Sequence, residues 1–240
     1  MHFDPLLLLD YWPQLLQGTV LTIQVAASAF VLGYVIGIAV ALIALLPFWP
    51  ARVVAGAYVE TLRNIPFIII VFVVYYGLPF SGIRLPSTLV GTIALAMFAS
   101  AYYAEIVRAA VLGLPRGQFE SARAIGMSPA QAMWHVVAPQ ILRSLVPPST
   151  NMTLTMMKES AVLSSITVPE LTYQSLVVQG NTFAPFEVFA AVASIYWLIA
   201  IVIAETSRRI ERRVGAAQAE GVARNKLASR YLSLDARSDR

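Results

Sequence analysis

The chain has 240 residues, 58% hydrophobic and only 12% charged, with a mean hydropathy of +0.70 and a formal net charge of +4. Soluble domains carry roughly 25% charged residues, so this composition excludes a water-soluble fold and points to an all-α integral membrane protein of one domain. The absence of cysteine rules out disulfides, thiolate clusters and Cys-ligated zinc; His2 and His135 lie far apart and make a poor metal site, and no G-x-x-x-x-G-K-[ST] stretch is present to cradle ATP.

The N-terminal stretch carries Asp4 and Asp10 but no Lys or Arg before Arg52. A cleavable signal peptide wants a positive start and a short apolar core, so the first apolar run is expected to be a retained span. About 20 apolar residues cross the hydrocarbon core as a helix. Span one is predicted over Thr19 to Leu46, ended by Pro47 and Pro50. Span two takes Asn64 to Gly82 and is expected to start as early as Val53, which puts Glu60 and Arg63 in its first half, three apart on one face and able to pair. Pro66 would free a carbonyl and kink that helix, a device tolerated where it lines a cavity or packs on neighbours.

Span three opens at Pro86, reaches Ala104 and extends toward Val111. Tyr102, Tyr103 and Glu105 resemble a path-lining and loop-entry segment; equally, the tyrosines read as interface anchors, the preferred reading here. Pro147 to Pro169 brackets a fourth, more polar span, and Val188 to Ala204 a fifth, stopped by Glu205 and the cluster Arg208, Arg209, Arg212, Arg213. Lys and Arg gather after Ala204 and between spans three and four, while the segments around Ser81 and Phe183 hold almost none, Arg84 excepted. The positive-inside rule then puts the N-terminus outside and the C-terminus inside, with about five spans. There is no internal repeat of the kind that inverted-repeat secondary transporters show. Residues 1–214 form the expected membrane domain; 215–240, without a clean period, is expected to be a disordered cytoplasmic tail.

The loop between spans three and four, about residues 113–143, contains "FESARAIGMSPAQAMWHVVAP" (Phe119 to Pro139). Ser128 can cap a helix that Pro129 begins, and Gly126 can end a preceding short helix in the left-handed conformation. The loop is therefore predicted as helix, glycine corner, helix. Glu120, Arg123 and Gln131 are placed on its exposed face, and Phe119, Ala122, Ile125 and Met133 on its buried one; Trp134 and His135 are expected to pack locally. Such a corner either docks into a groove on another protein or lies on its own spans, and the residues alone leave both open.

Glu120-Ser-Ala-x-x-x-Gly126, nine residues and Val136-Val-Ala-Pro139 resembles the E-A-A-x-x-x-G-x(9)-I-x-L-P loop of permease subunits in bacterial ATP-binding-cassette importers. Ser121, Val136 and Ala138 depart from the Ala, Ile and Leu of that pattern by small or conservative changes. "YVETLRNIPFIIIVFVVYYGLP", "YYAEIVRAAVLGLPRGQFESARAIGM" and "KESAVLSSITVPEL" resemble the branch for polar amino acids (histidine, glutamine, glutamate, arginine and opine types), the likeness running from about residue 15 to 212. The resemblance implies that the loop is a coupling helix seated in a cytoplasmic ATPase subunit, with Glu120, Ala122, Arg123, Gly126 and Pro139 as its candidate coupling residues. It further implies a second permease copy or homologous permease, an extracytoplasmic substrate-binding protein, and ATP and Mg on the partner subunits. No cofactor is expected on this chain, and no nucleic acid partner.

In the fourth span Lys158 and Glu159 fall near the middle of the predicted helix. A charge at the bilayer centre costs about 2.5–3.5 kcal/mol on insertion scales, so such residues face a cavity or a partner. A zwitterion needs an acceptor for its ammonium, which Glu159 could supply, and donors for its carboxylate, among which Asn151, Thr155 and Ser160 are candidates. Lys158 and Pro66 complete the candidate path. Alternatively Lys158 and Glu159 satisfy other groups in the bundle; adjacent on a helix, they do not face each other. The expected function is the membrane-spanning, non-catalytic subunit of an ATP-driven importer for a polar amino acid or related small zwitterion, in the bacterial inner membrane. The alternative is a self-contained secondary transporter or channel. A membrane enzyme lacks any nucleophile–base pair or metal cluster in this sequence. A single defensible carboxylate tilts the substrate toward a neutral or acidic polar solute, with opines and ectoine-like solutes open.

Overall fold

The computed structural model describes residues 7–235, with side chains described over 9–115 and 117–213; among the described residues every regular element is helical. Helix α1 spans Leu7–Leu45, so the first apolar helix begins well before Thr19. α2 (Trp49–Asn64) and α3 (Phe67–Phe80) follow, then α4 (Ser87–Leu112), α5 (Arg116–Ala124) and α6 (Pro129–Ala132). A π-helical turn, Met133–Val137, leads into α7 (Ala138–Glu159), which passes into a 3-10 segment, Ser160–Ile166. α8 (Leu171–Thr182) and α9 (Pro185–Asp235) complete the chain.

Three of these helices are long and apolar enough to cross a membrane: Leu9–Leu45, Ser87–Leu112 and Pro185–Arg213. A fourth is obtained if α2 and α3 count as one broken span, for their axes meet at 108°. The expected continuous span from near Val53 is thus corrected. Pro66 offers no N–H and disfavours helical backbone at the residue before it; Ile65 accordingly turns extended (φ −93°, ψ 132°), and Pro66 becomes the start of a new helix. α2 buries Ala55, Val59 and Leu62 and leaves Glu60 and Arg63 exposed. α7 has 22 residues, ample for a span, but its polar content keeps it out of the apolar set. α9 continues as helical backbone to Asp235, where disorder is the expectation from Gly215 on; the Ala-, Gln-, Glu- and Lys-bearing sequence there has good helix propensity.

α4 is the central post, with 72% of its span buried. α1 lies along it at backbone-to-backbone distance, made possible by Gly33 and Gly37, a small-xxx-small pair. A Cβ on Gly37 would stand 2.7 Å from Tyr103 Cβ and 2.9 Å from the Ser100 carbonyl oxygen; one on Gly33 would stand 3.0 Å from Ala99 Cβ. Beside this seam Tyr103 is fully buried, its ring 5.8 Å from Phe30 and 4.8 Å from Tyr34 by centroid. Its hydroxyl lies 3.1 Å from Thr153 Oγ1 and 3.3 Å from Met156 Sδ on α7. Tyr103 therefore clasps α1, α4 and α7 together, and the expectation of an interface anchor is wrong for it: the ring fills the space that the glycines open.

A second clasp forms at Glu170, buried at the N-cap of α8. Its carboxylate accepts the backbone N–H groups of Thr172 and Tyr173, both at 2.8 Å, and the Tyr196 hydroxyl of α9 at 3.2 Å. Thr22 of α1 lies 3.5 Å away and accepts the Leu171 N–H at 3.0 Å. One carboxylate thus links α1, α8 and α9. Burial pushes its carboxyl above the usual range, against the lowering effect of the two backbone N–H groups.

Two outcomes follow from these clasps. Gly37→Ile should overpack the seam and lower stability by about 1–3 kcal/mol, seen as a lower thermal midpoint in detergent; Gly56→Ile, where a new Cβ meets nothing within 4 Å, should change it little. For Glu170 the folded chain holds a proton that the unfolded chain has released just above pH 4.5. Its contribution therefore makes stability fall as pH rises through that window. The thermal midpoint of Glu170→Gln should depend less on pH above 4.5 than that of the wild type.

Candidate translocation path and coupling corner

The corner between α5 and α6 is built as the sequence predicts. Gly126 has φ +84°, the left-handed region. The Gly126 N–H donates to the Arg123 carbonyl at 3.0 Å and the Met127 N–H to the Ala122 carbonyl at 3.1 Å, a Schellman closure of α5. Ser128 and Gln131 form a reciprocal capping box at the start of α6, with Pro129 at the first helical position. Glu120, Arg123 and Gln131 are exposed and Ala122 is buried, as expected. The other predicted inward residues differ: Phe119 is half-buried, while Ile125 is 75% exposed and Met133 is also exposed. Trp134, at 74% exposure, does not pack locally. Within the described chain no second layer covers the outer face of this corner, so these apolar side chains are left outward. Gln140 on α7 donates to Gln118 on α5 at 3.1 Å, which pins the corner to the helix that follows.

Pro139 lies in the first turn of α7, directly after the π turn. A proline in a helix clashes with the carbonyl four residues back; widening to an i→i+5 bond, from Ala138 N–H to the Met133 carbonyl, relieves that crowding. The coupling loop and the fourth expected span are consequently one helical rod from Pro129 to Glu159, not a loop followed by a span starting at Pro147. Pro147 and Pro148 sit inside it.

α7 has two faces. Leu145, Met152, Met156 and Met157 are buried. Asn151, Thr155 and Lys158 are exposed, and Glu159 is half-buried; at offsets of four, seven and eight from Asn151 the other three share one stripe of the helix with it. The Thr155 hydroxyl donates to the Asn151 carbonyl at 3.0 Å, leaving its oxygen free to accept. Among the described residues neither Lys158 nor Glu159 has an ion pair. Both stand where α7 passes into the 3-10 segment. Ser160 is corrected: it is fully buried and donates to the Met157 carbonyl at 2.7 Å, so it faces the core. Nine residues on from Asn151, it stands on the opposite side of the helix from the stripe. Pro66 stands apart at the α2–α3 elbow.

A second polar place was not anticipated. α1, α2 and α4 enclose a cleft of about 310 Å³ lined by Glu60, Arg63, Glu105 and Arg108 among small residues. Arg108 grips Glu105 through two nitrogens at 2.6 and 2.9 Å. Arg63 lies 5.2 Å above the Tyr102 ring rather than pairing with Glu60. Two E-x-x-R steps, Glu60/Arg63 and Glu105/Arg108, are visible in the sequence; their convergence depends on the elbow, which folds α2 back against α4.

The chain matches the "binding-protein-dependent transport system inner membrane component" family over residues 33–216. The chain belongs to this family. It is 35% identical over 208 residues to the probable glutamine permease GlnM of Bacillus subtilis, covering 87% of this chain and 96% of that protein. It is 30% identical to the glutamine permease GlnP of Escherichia coli K12, with 89% and 99% covered. A chain in the crystal structure of an amino acid ABC transporter with histidines superposes with a TM-score of 0.82 at 33% identity, over 89% of this chain and 100% of that one. The protein is a non-catalytic, multi-pass permease of a bacterial ATP-binding-cassette importer in the inner membrane, working with a separate ATPase and a binding protein.

Proposed function

We propose that this permease, paired with a second copy or a homologous permease, forms the path for a polar amino acid or a related small zwitterion, with the stripe Asn151, Thr155, Lys158, Glu159 along its wall. The observation that carries this is a polar stripe on a membrane-domain helix whose own chain leaves it uncovered. Hydrocarbon offers such groups nothing, so they belong against a water-filled cavity or a partner. Two such stripes facing each other across a permease pair would enclose a polar channel. Glu159 can accept from a substrate ammonium, Asn151 can donate to its carboxylate, and Lys158 balances the charge. The relatives named for glutamine share an α-amino-acid headgroup with this chemistry.

Five crossings fit this reading: α1, α3 with its elbow, α4, α7 with the 3-10 segment, and α9. The basic clusters favour the N-terminus outside and the C-terminus inside. On the inner side the corner offers Ile125, Met133 and Trp134 as exposed apolar anchors ringed by Glu120 and Arg123, the composition of an interface hot spot with a polar rim. That patch fits a cleft on the ATPase. The unbroken rod from Pro129 to Glu159 would carry a shift of the corner to the substrate stripe. A self-contained secondary transporter would have no use for this exposed patch.

Proteoliposomes holding the permease, its ATPase and its binding protein provide the test, with labelled amino acids outside and ATP inside. Glu159→Gln should lower uptake about 10- to 100-fold, the loss of one charge-assisted bond, while the ATPase stays bound; wild-type uptake would remove Glu159 from the path. Gly126→Val forces a β-branched residue to positive φ, at a local cost of at least about 1–2 kcal/mol. Transport and stimulated ATP hydrolysis should be lost with permease yield intact. Disappearance of the permease from the membrane would reassign Gly126 to folding.

A further inference from the structure

On the outer surface of the bundle, away from the polar stripe, a groove of about 420 Å³ runs between α1, α7 and α9. Ile23, Ala27, Met157, Leu198, Val202 and Ile203 are among its lining residues. Thr153 is the one side chain of the lining with a polar atom, and its hydroxyl is already engaged with the Ser149 carbonyl at 2.8 Å. At roughly 30 Å³ for a water-sized group, the groove holds on the order of 14 such groups, about one acyl chain. An apolar cavity of this kind stays dry.

The groove has a charged lower rim. On α9, Arg209 and Arg213 follow Val202 by about two and about three turns, on the same stripe of the helix and about 10 and 16 Å further along its axis. Both are exposed. Glu205 pairs with Arg208 at 2.9 Å and reaches Arg209 only at 3.5 Å; Glu211 lies on the opposite side of α9 from Val202. Arg213 has no acidic partner among the described residues.

We infer that this groove and its arginine rim form a site for one anionic phospholipid, the acyl chain lying between α1, α7 and α9 and the phosphate held by Arg209 and Arg213. A dry apolar slot with two cations further along the same stripe of α9 matches a molecule with an apolar tail and an anionic head. The inference goes beyond the transport reading and requires only that α9 cross the bilayer.

The test uses the complete importer in nanodiscs of phosphatidylcholine doped with phosphatidylglycerol carrying a photoactivatable diazirine in its acyl chain. Adducts mapped by peptide mass spectrometry should fall on Met157, Leu198 or Val202. Unlabelled phosphatidylglycerol should compete them away, and unlabelled phosphatidylcholine should not. Arg209→Gln with Arg213→Gln should cut the adduct yield on the order of tenfold, and Ala27→Trp, which fills the slot, should abolish it, with both variants eluting as intact complexes. Equal labelling by the choline and glycerol probes, or an unchanged yield from the double arginine variant, would overturn the site. So would an efficient disulfide between Leu198→Cys residues of two permease copies, which would make the groove a protein interface. A failed uptake assay with Glu159→Gln would not touch this result, since no groove residue lies in the polar stripe.

Discussion

Everything in this permease turns on one property of hydrocarbon: a polar group placed in it must find its partner within the protein. α7 meets that constraint on one side only. Its methionine face is sealed against Tyr103 and α4, where the Tyr103 hydroxyl meets Thr153. Its other face leaves Asn151, Thr155 and Lys158 uncovered. A chain that folded for itself alone would not carry such a helix, because each uncovered polar group would count against insertion. The asymmetry leaves one face of α7 apolar and packed and the other polar and uncovered by the described chain.

The same helix joins the two ends of the molecule that function must connect. At one end the Gly126 corner is fixed by its own hydrogen bonds, independent of any partner, so a docking ATPase meets a preformed shape. At the other the α-to-3-10 transition sets the direction of Lys158 and Glu159. Between them the π turn lets Pro139 into the helix without breaking it. Coupling at a distance needs an element that moves as a unit, and the chain supplies one by absorbing three prolines without a break in the rod.

Much of this was legible in the sequence, and the failures have physical causes. The corner was readable because its rules are local: a glycine at a left-handed position, a serine cap, a proline at the first turn. The polar stripe was readable from the cost of charge in lipid, which needs no knowledge of neighbours. Ser160 failed because it was grouped with its neighbour Glu159, although helical spacing alone sets it about 180° from Asn151. Tyr103 failed because tyrosine at a span end serves equally as an anchor or as a core residue, and only the approach of Gly33 and Gly37 decides between them. Ile125 and Trp134 failed because burial at this corner depends on a covering layer that the described chain does not supply, and apolar character alone does not reveal that. Span two failed because Pro66 was given the strength of a kink, whereas with Ile65 driven extended it acts as a break.

The break at Pro66 and the clamp at Gly37 divide the bundle mechanically. α1 and α4 are locked by backbone contact, so neither can slide without removing atoms already at van der Waals limits. α2 is held more lightly: its Tyr58 hydroxyl lies 2.6 Å from Ser100 Oγ, and Arg63 rests on Tyr102. A hydrogen bond of this kind contributes about 0.5–1.5 kcal/mol and an exposed cation–π contact about 0.5–1 kcal/mol. Both are small beside the energy that a packed glycine seam represents. The elbow leaves α2 with a free end of the helical hydrogen-bond ladder on the α3 side, so nothing in the backbone transmits bending from one to the other. The cleft lined by Glu60, Arg63, Glu105 and Arg108 lies between α2 and this α1–α4 post, so its volume is set by where α2 sits on the post.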